Sequence, residues 1–301
     1  MSSGPKNDAA PRAAVGAGRL PNFVIIGAAK SGTTTLWDHL GQHPRIFMCE
    51  PKEPEFFSRD SVYERGLDWY RGLFAGASDD QLCGEASTTY TRWPHTADAA
   101  ARMAEVLEKP RFVYLMRHPV ERAFSHYAHH MRFDVTMTFE EALERNGIYV
   151  DCSMYMRQIE RYLRFFPEEN FLFFESSELR ADPDALLRKL QAFLGVEEAE
   201  IREGGSLQRN VTGPDFYIRE RTTQRLRKIP GVRSLADRFP QGARDWIFDK
   251  VKASRFGRRL AAEAAVPPML RETRARLLGS FEGPNRELGR FLGREYPHWS
   301  E

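Results

Sequence analysis

The sequence predicts an α/β fold: a central parallel sheet with helices covering both faces. Three observations carry this. Apolar runs rich in β-branched and aromatic residues at Phe23–Gly27, Phe112–Met116 and Asn170–Phe174 read as buried strands. Segments of helical periodicity separate them. The first strand also enters a small-residue loop that opens a helix, a unit suited to an anion. Strands alternating with helices imply parallel pairing with both faces buried. Ligands then sit at the carboxyl edge of the strands.

Taken in order, the strand Phe23–Gly27 leads into Gly27-Ala28-Ala29-Lys30-Ser31-Gly32-Thr33-Thr34 and a helix over Thr33–Leu40, with Gly41 as its stop. Free N–H groups and the positive end of the helix dipole converge on the loop. It is not a Walker A. That motif ends in Gly-Lys-Ser/Thr, whereas Gly32 is followed by Thr33 and the lysine, Lys30, stands two residues earlier. Gln81–Glu85 reads as a short strand and Pro94–Leu107 as a helix. The strand ending at Met116 runs into Arg117-His118-Pro119, and Pro119 suits the first turn of a helix over Pro119–Phe133. Arg117 at the strand edge and Ser125 two turns into that helix could hold a second phosphate, one as a fork donor and one through its hydroxyl. Two phosphate sites without a Walker A point to a nucleoside phosphorylated at both ends.

Further on, Ile159, Tyr162, Leu163 and Phe166 share one face of a helix within Ser153–Phe166. Asp182 caps the next helix, Pro183 opens it and Gly195 ends it. Pro268 to Trp299 reads as helices packing back on the body. Residues 213–267 are basic and mostly helical, with Arg219, Arg221, Arg225, Arg227 and Lys228 among many cations facing few acids. This segment reads as an acceptor-binding surface, a contact with anionic lipid, or a solvated helical face. Ile247, Phe248 and Val251 share a side while Phe256 and Leu260 fall opposite.

At 301 residues the chain is long enough for a substantial core, and a formal net charge of +2 implies no global nucleic-acid field. Cys49, Cys83 and Cys152 are odd in number and lack CxxC spacing. That favours a reducing compartment and speaks against a disulfide framework or a structural zinc. No apolar run reaches the ~18–20 residues of a membrane span. Residues 1–20 lack the apolar core of a secretion signal and read as a disordered leader, leaving 21–301 as the body.

Several segments then fall in one order over residues 20–212: Lys30–Thr34, Lys52-Glu53-Pro54-Glu55-Phe56-Phe57, Gly84-Glu85-Ala86-Ser87, Arg117 with Ser125, Ser153-Met154-Tyr155, Arg164-Phe165-Phe166-Pro167 and Asp182-Pro183 to Gly195. The ordered set resembles the sulfotransferase family that uses 3′-phosphoadenosine 5′-phosphosulfate (PAPS), especially the branch of heparan sulfate sulfotransferases and their bacterial relatives. The resemblance implies a P-loop NTPase-like three-layer fold. It implies sulfuryl transfer from PAPS to a hydroxyl or amine of a glycan, glycolipid or small molecule, with 3′,5′-ADP as product and no metal. Lys30 would meet the leaving phosphate, with Ser31, Gly32, Thr33 and Thr34 donating around it and Ser31 contributing at least its backbone. Arg117 and Ser125 would grip the 3′-phosphate, Arg209 and Asn210 would lie over the nucleotide, and Glu53 would be the general base.

The residues add detail. Glu53 and Glu55 are close enough to raise one another's proton affinity, which suits a base near neutral pH. Lys52 either binds phosphate or pairs with Glu53, and Phe56 and Phe57 read as core or cleft wall. Glu85 either orients a neighbouring group or is structural. Ala86 stands where the heparan sulfate branch carries a lysine, which argues against a sulfated polysaccharide acceptor. His126 and His130 have a spacing that can hold zinc, but no third ligand is evident and the resembled family uses no metal. The expected setting is a cytoplasmic, bacterial enzyme with no nucleic-acid partner. Peripheral membrane contact through residues 213–267 stays open, and the oligomeric state is not legible. The rival readings are a P-loop kinase and a non-catalytic module binding nucleotide or anionic lipid.

Overall fold

The structure, a computed structural model, describes residues 18–131, 136–199 and 266–301. Residues 1–17 of the expected leader and nearly all of the basic segment lie outside them, as do Arg209 and Asn210. The described residues gather into two compact units, one from 18–27, 36–115 and 161–199, the other from 28–35, 116–160 and 266–301. The strands are β1 (Phe23–Gly27), β2 (Ile46–Met48), β3 (Leu82–Ala86), β4 (Arg111–Met116) and β5 (Phe171–Glu175). The helices are α1 (Thr33–Leu40), α2 (Asp60–Tyr63), α3 (Gly66–Gly72), α4 (Ala99–Val106), α5 (Pro119–His130), α6 (Phe139–Arg145), α7 (Ile148–Asp151), α8 (Tyr155–Leu163), α9 (Ser176–Ala181), α10 (Pro183–Leu194) and α11 (Arg271–Leu292).

In the first unit five strands form one sheet in the order β2-β3-β1-β4-β5. β1 pairs parallel with β3 and β4, and β2 pairs parallel with β3. Every residue of β1 is buried, so its run is apolar without alternation. Phe23, Ile25, Val113 and Leu115 pack with Leu36 and Leu40 of α1 and with Leu186, Leu187 and Leu190 of α10. The opposite face carries Phe112, whose ring meets Tyr162 at 5.2 Å and Phe166 at 4.8 Å. The result is the three-layer, P-loop NTPase-like arrangement. Gly84 is required by packing, since a Cβ there would overlap the Phe23 ring of β1. Gly27 has φ +149°, and its missing Cβ leaves room for Thr91, whose hydroxyl donates to the Ile26 carbonyl at 3.0 Å.

The second unit is helical in its described residues outside the loops. Val120, Ala123 and Tyr127 of α5 pack with Phe139, Ala142, Tyr149, Leu277 and Phe281. Arg122 is fully buried among them. Its Nε donates to Ser153 Oγ at 2.5 Å and its Nη2 to the Tyr149 carbonyl at 2.5 Å.

Most elements form where the pattern places them. Asp182 accepts from the Ala185 amide at 2.9 Å and Gly195 takes φ +71°, so the cap and stop of α10 are as read. The helix expected over Pro94–Leu107 begins only at Ala99. Asp98 is its cap, and Thr96 ties the preceding chain to the Thr89 carbonyl at 3.1 Å. The strand expected over Gln81–Glu85 sits one residue later. α5 ends at His130, and Phe133 lies outside the described residues. At the C-terminus one helix of 22 residues runs through Pro284, held by buried Leu277 and Phe281 before it and Leu288 after it.

Candidate active site

In the second unit the loop after β1 is shaped by two left-handed residues, Lys30 at φ +71° and Gly32 at φ +104°. Such a conformation in a non-glycine residue costs about 1–2 kcal/mol and concentrates at functional positions. The Ser31 amide donates to the Ala28 carbonyl at 3.2 Å. The Ser31 backbone N–H thus closes a turn. Ser31 is 2% exposed, and its Oγ is buried without a hydrogen-bond partner among the described residues. A buried hydroxyl in that state is costly unless a ligand oxygen meets it. Thr33, Thr34 and Thr35 begin α1, and the first amides of a helix have no partner within it.

Arg117 follows β4 directly, and its Nη1 donates to the Lys30 carbonyl at 3.3 Å. The two residues assigned to opposite phosphates are therefore joined. Tyr155 fixes the Arg117 backbone: its hydroxyl donates to the Arg117 carbonyl at 2.6 Å and accepts from the Arg117 amide at 3.2 Å. Burial pushes this phenol up to about 12, so it stays neutral in that role. The sequence singled out Ser153-Met154-Tyr155 without giving it this task. His118 caps α5 by accepting from the Val120 amide at 3.2 Å, and Pro119 opens it as expected. Ser125 lies half-buried on the second turn of α5. His126 Nδ1 lies 3.3 Å from the buried Arg122 guanidinium, and His130 Nδ1 lies 2.9 Å from the Tyr149 hydroxyl. Among the described residues no group of three or more His, Cys, Asp and Glu is placed to hold a metal.

In the first unit the segment after β2 is pinned to the end of β3. The Glu53 amide donates to the Ala86 carbonyl at 2.9 Å, and the Glu55 amide donates to Ser87 Oγ at 3.1 Å. Both glutamates are left-handed, at φ +59° and +56°. Lys52 pairs with Glu53, Nζ to Oε1 at 2.8 Å. Thr88 donates to the other carboxylate oxygen at 3.2 Å, and Arg92 donates to Thr88 Oγ1 at 3.3 Å. The Glu53 side chain is 31% exposed and that of Glu55 16%. Burial pushes the Glu55 carboxyl up, with its ion-pair partner Arg59 opposing and Glu53 reinforcing the shift. Glu53 is the more accessible carboxylate of the two. Phe56 and Phe57 are core: Phe56 stacks on Tyr70 at 4.4 Å between ring centres.

Glu85 is fully buried on β3. It accepts from the hydroxyls of Tyr70, Tyr90 and Ser87, with Tyr90 at 2.9 Å and Ser87 at 3.1 Å. Burial raises its carboxyl to about 7 against the lowering effect of those hydroxyls. The tyrosines come from α3 and from the turn after β3, which no local pattern ties to Glu85.

The family model described as the sulfotransferase domain matches residues 20–212. Heparan sulfate glucosamine 3-O-sulfotransferase 6 of Mus musculus is 32% identical over 209 residues, covering 66% of this chain and 56% of that protein. The human heparan sulfate glucosamine 3-O-sulfotransferase 3B1 is 32% identical over 214 residues, covering 67% of this chain and 50% of that protein. The human bifunctional heparan sulfate N-deacetylase/N-sulfotransferase 3 is 32% identical over 200 residues, 59% of this chain and 22% of that protein. The chain thus spans between about a fifth and just over half of these relatives. Among solved structures, a sulfotransferase from Alicyclobacillus acidocaldarius superposes with a TM-score of 0.66 at 24% identity, over 94% of this chain and 100% of that one. That likeness is one of fold.

Proposed function

The chain belongs to the sulfotransferase domain family, and from that premise we propose that it moves a sulfuryl group from PAPS to a hydroxyl or amine of an acceptor. The bond between sulfur and the bridging phosphate oxygen breaks, and its electron pair leaves with 3′,5′-ADP. A new bond forms between sulfur and the acceptor oxygen or nitrogen, and the acceptor proton passes to Glu53.

One observation carries the nucleotide part of this reading: Arg117 donates to the backbone of Lys30, so two cationic side chains assigned to different phosphates belong to one braced structure. The buried Ser31 hydroxyl, without a partner among the described residues, and the opening amides of α1 add donors that fit phosphate oxygens. Lys30 neutralises charge gathering on the departing phosphate. Arg117 and Ser125 hold the 3′-phosphate, and Arg209 and Asn210 are assigned to the nucleotide from the sequence alone. Glu53, its carboxylate fixed by Lys52 and Thr88 yet partly exposed, takes the acceptor proton. No metal has a role in this scheme.

The relatives act, by their names, on heparan sulfate glucosamine. For this chain we assign the broader class of glycan, glycolipid or small-molecule acceptor. Ala86 is fully buried and supplies no cation for a polyanion. A reducing, cytoplasmic setting suits Cys49, Cys83 and Cys152, all free and buried. No helix among the described residues is long and apolar enough to cross a membrane. The kinase and non-catalytic readings gain no support from the family match.

The test is calorimetry with 3′,5′-ADP against ATP–Mg2+, followed by incubation with sulfur-labelled PAPS and a metabolite extract. Binding of 3′,5′-ADP with transfer of label to a product is expected. Binding of ATP–Mg2+ alone would overturn the proposal.

A further inference from the structure

The fully buried carboxylate of Glu85 is linked through the Ser87 hydroxyl, by two hydrogen bonds, to the segment that carries Glu53. Its oxygens accept from Tyr70, Tyr90 and Ser87. The Ser87 link is directional. A serine hydroxyl has one proton and two lone pairs. When the proton goes to Glu85 Oε2, at 3.1 Å, the lone pairs remain for the Glu55 amide, which donates to Ser87 Oγ at 3.1 Å. One residue back, the Ala86 carbonyl accepts from the Glu53 amide at 2.9 Å. One residue on, Thr88 donates to the Glu53 carboxylate at 3.2 Å. Consecutive residues of one strand end thus grip both Glu53 and Glu55.

The grip has something to hold. Glu53 and Glu55 both occupy the left-handed region, at φ +59° and +56°. Neither is glycine, so the conformation persists only where surrounding contacts over-determine it. The Ser87 hydroxyl is one such contact, and without an acceptor for its proton it could turn that proton toward the Glu55 amide and lose the bond.

We propose that Glu85 is a positioning residue for the general base: its buried carboxylate orients the Ser87 hydroxyl, which fixes the left-handed Glu53–Glu55 segment and so the Glu53 carboxylate. This rests on the reading of Glu53 as the base, but the positioning can be measured without it. Tyr70 and Tyr90 keep Glu85 from rotating away, since each donates to it from a separate element.

The experiment is amide hydrogen exchange on the full-length protein, with Glu85→Gln, Ser87→Ala and Tyr90→Phe compared at a pH above neutral. Exchange at the Glu55 amide is expected to rise roughly tenfold in Glu85→Gln and Ser87→Ala while β1 and β4 amides stay protected. If Glu85→Gln does not fold, Ser87→Ala and Tyr90→Phe decide the matter. In parallel, transfer of label from PAPS into a metabolite extract is expected to fall about tenfold in Ser87→Ala, with 3′,5′-ADP affinity unchanged. Unchanged exchange at Glu55 in folded variants overturns the positioning role. Raised exchange at Glu55, with full transfer in Glu53→Gln, upholds the positioning and removes Glu53 as the base.

Discussion

Arg117 Nη1 donates to the main-chain carbonyl of Lys30 at 3.3 Å, across a sequence separation of 87 residues. The contact makes the guanidinium part of the loop after β1. Replacing it removes a brace on the loop together with the charge proposed to meet the 3′-phosphate. For Arg117→Ala the dissociation constant for 3′,5′-ADP is expected to rise about 10- to 100-fold, read by calorimetry. Arg117→Lys should recover only part of this, because an ammonium is a point charge without the planar fork. Equal affinities for wild type and Arg117→Ala would remove the 3′-phosphate assignment.

Lys30→Ala tests the leaving-group side. Charge grows on the departing phosphate only as the sulfur–oxygen bond breaks, so in the role proposed for it the lysine matters most in the transition state. The turnover rate is expected to fall on the order of 10²- to 10³-fold, with a smaller change in 3′,5′-ADP affinity. A loss of affinity with turnover intact would make Lys30 a binding residue only.

Glu53→Gln keeps the shape but cannot take a proton, and its single acceptor oxygen can keep only one of the bonds from Lys52 and Thr88. Transfer from labelled PAPS is expected to drop about 10²- to 10⁴-fold. Full turnover in this variant would assign the base elsewhere, with Glu55 the next carboxylate to test.

Much of this was legible in the sequence because the signals are local. The β1 run, the Lys30–Thr34 loop and the Asp182-Pro183 to Gly195 helix each declare themselves within a dozen residues, and each forms where read. The link from Arg117 to Lys30 could be suspected from two strand ends but not measured. Glu85 was ambiguous for a physical reason: Tyr70 lies 15 residues before it, on a helix without a strong pattern of its own. Tyr155 likewise stands 38 residues from the backbone it fixes. The left-handed geometry of Glu53 and Glu55 has no sequence signal, since neither residue type favours it.

Gly84→Ala probes how tightly β3 packs on β1. A methyl at Gly84 would overlap the fully buried Phe23 ring, which has little room to move in the sheet core. The variant is expected to lose about 1–3 kcal/mol, seen as a lower Tm. Adding Phe23→Leu should restore part of that loss, so the two changes are expected to be non-additive. Additive losses would show that the ring is not what excludes the methyl.

Glu85 also predicts how stability responds to pH. Burial raises its carboxyl from an ordinary 4.5 to about 7 in the folded protein. Between those values the folded state binds more protons than the unfolded chain, so stability falls as pH rises. The groups facing Glu85 are Tyr70 from α3, Tyr90 from the turn after β3, Tyr162 from α8 and Cys49 from the end of β2. Burial raises all of these above their ordinary values, so they titrate above the window. The contribution of Glu85 is complete below pH 4.5 and lost by about pH 7. Over that interval wild type should lose on the order of 3 kcal/mol relative to Glu85→Gln. Denaturant midpoints for both proteins across the interval measure it. Parallel curves would mean that the three hydroxyls outweigh burial and keep Glu85 ionised throughout.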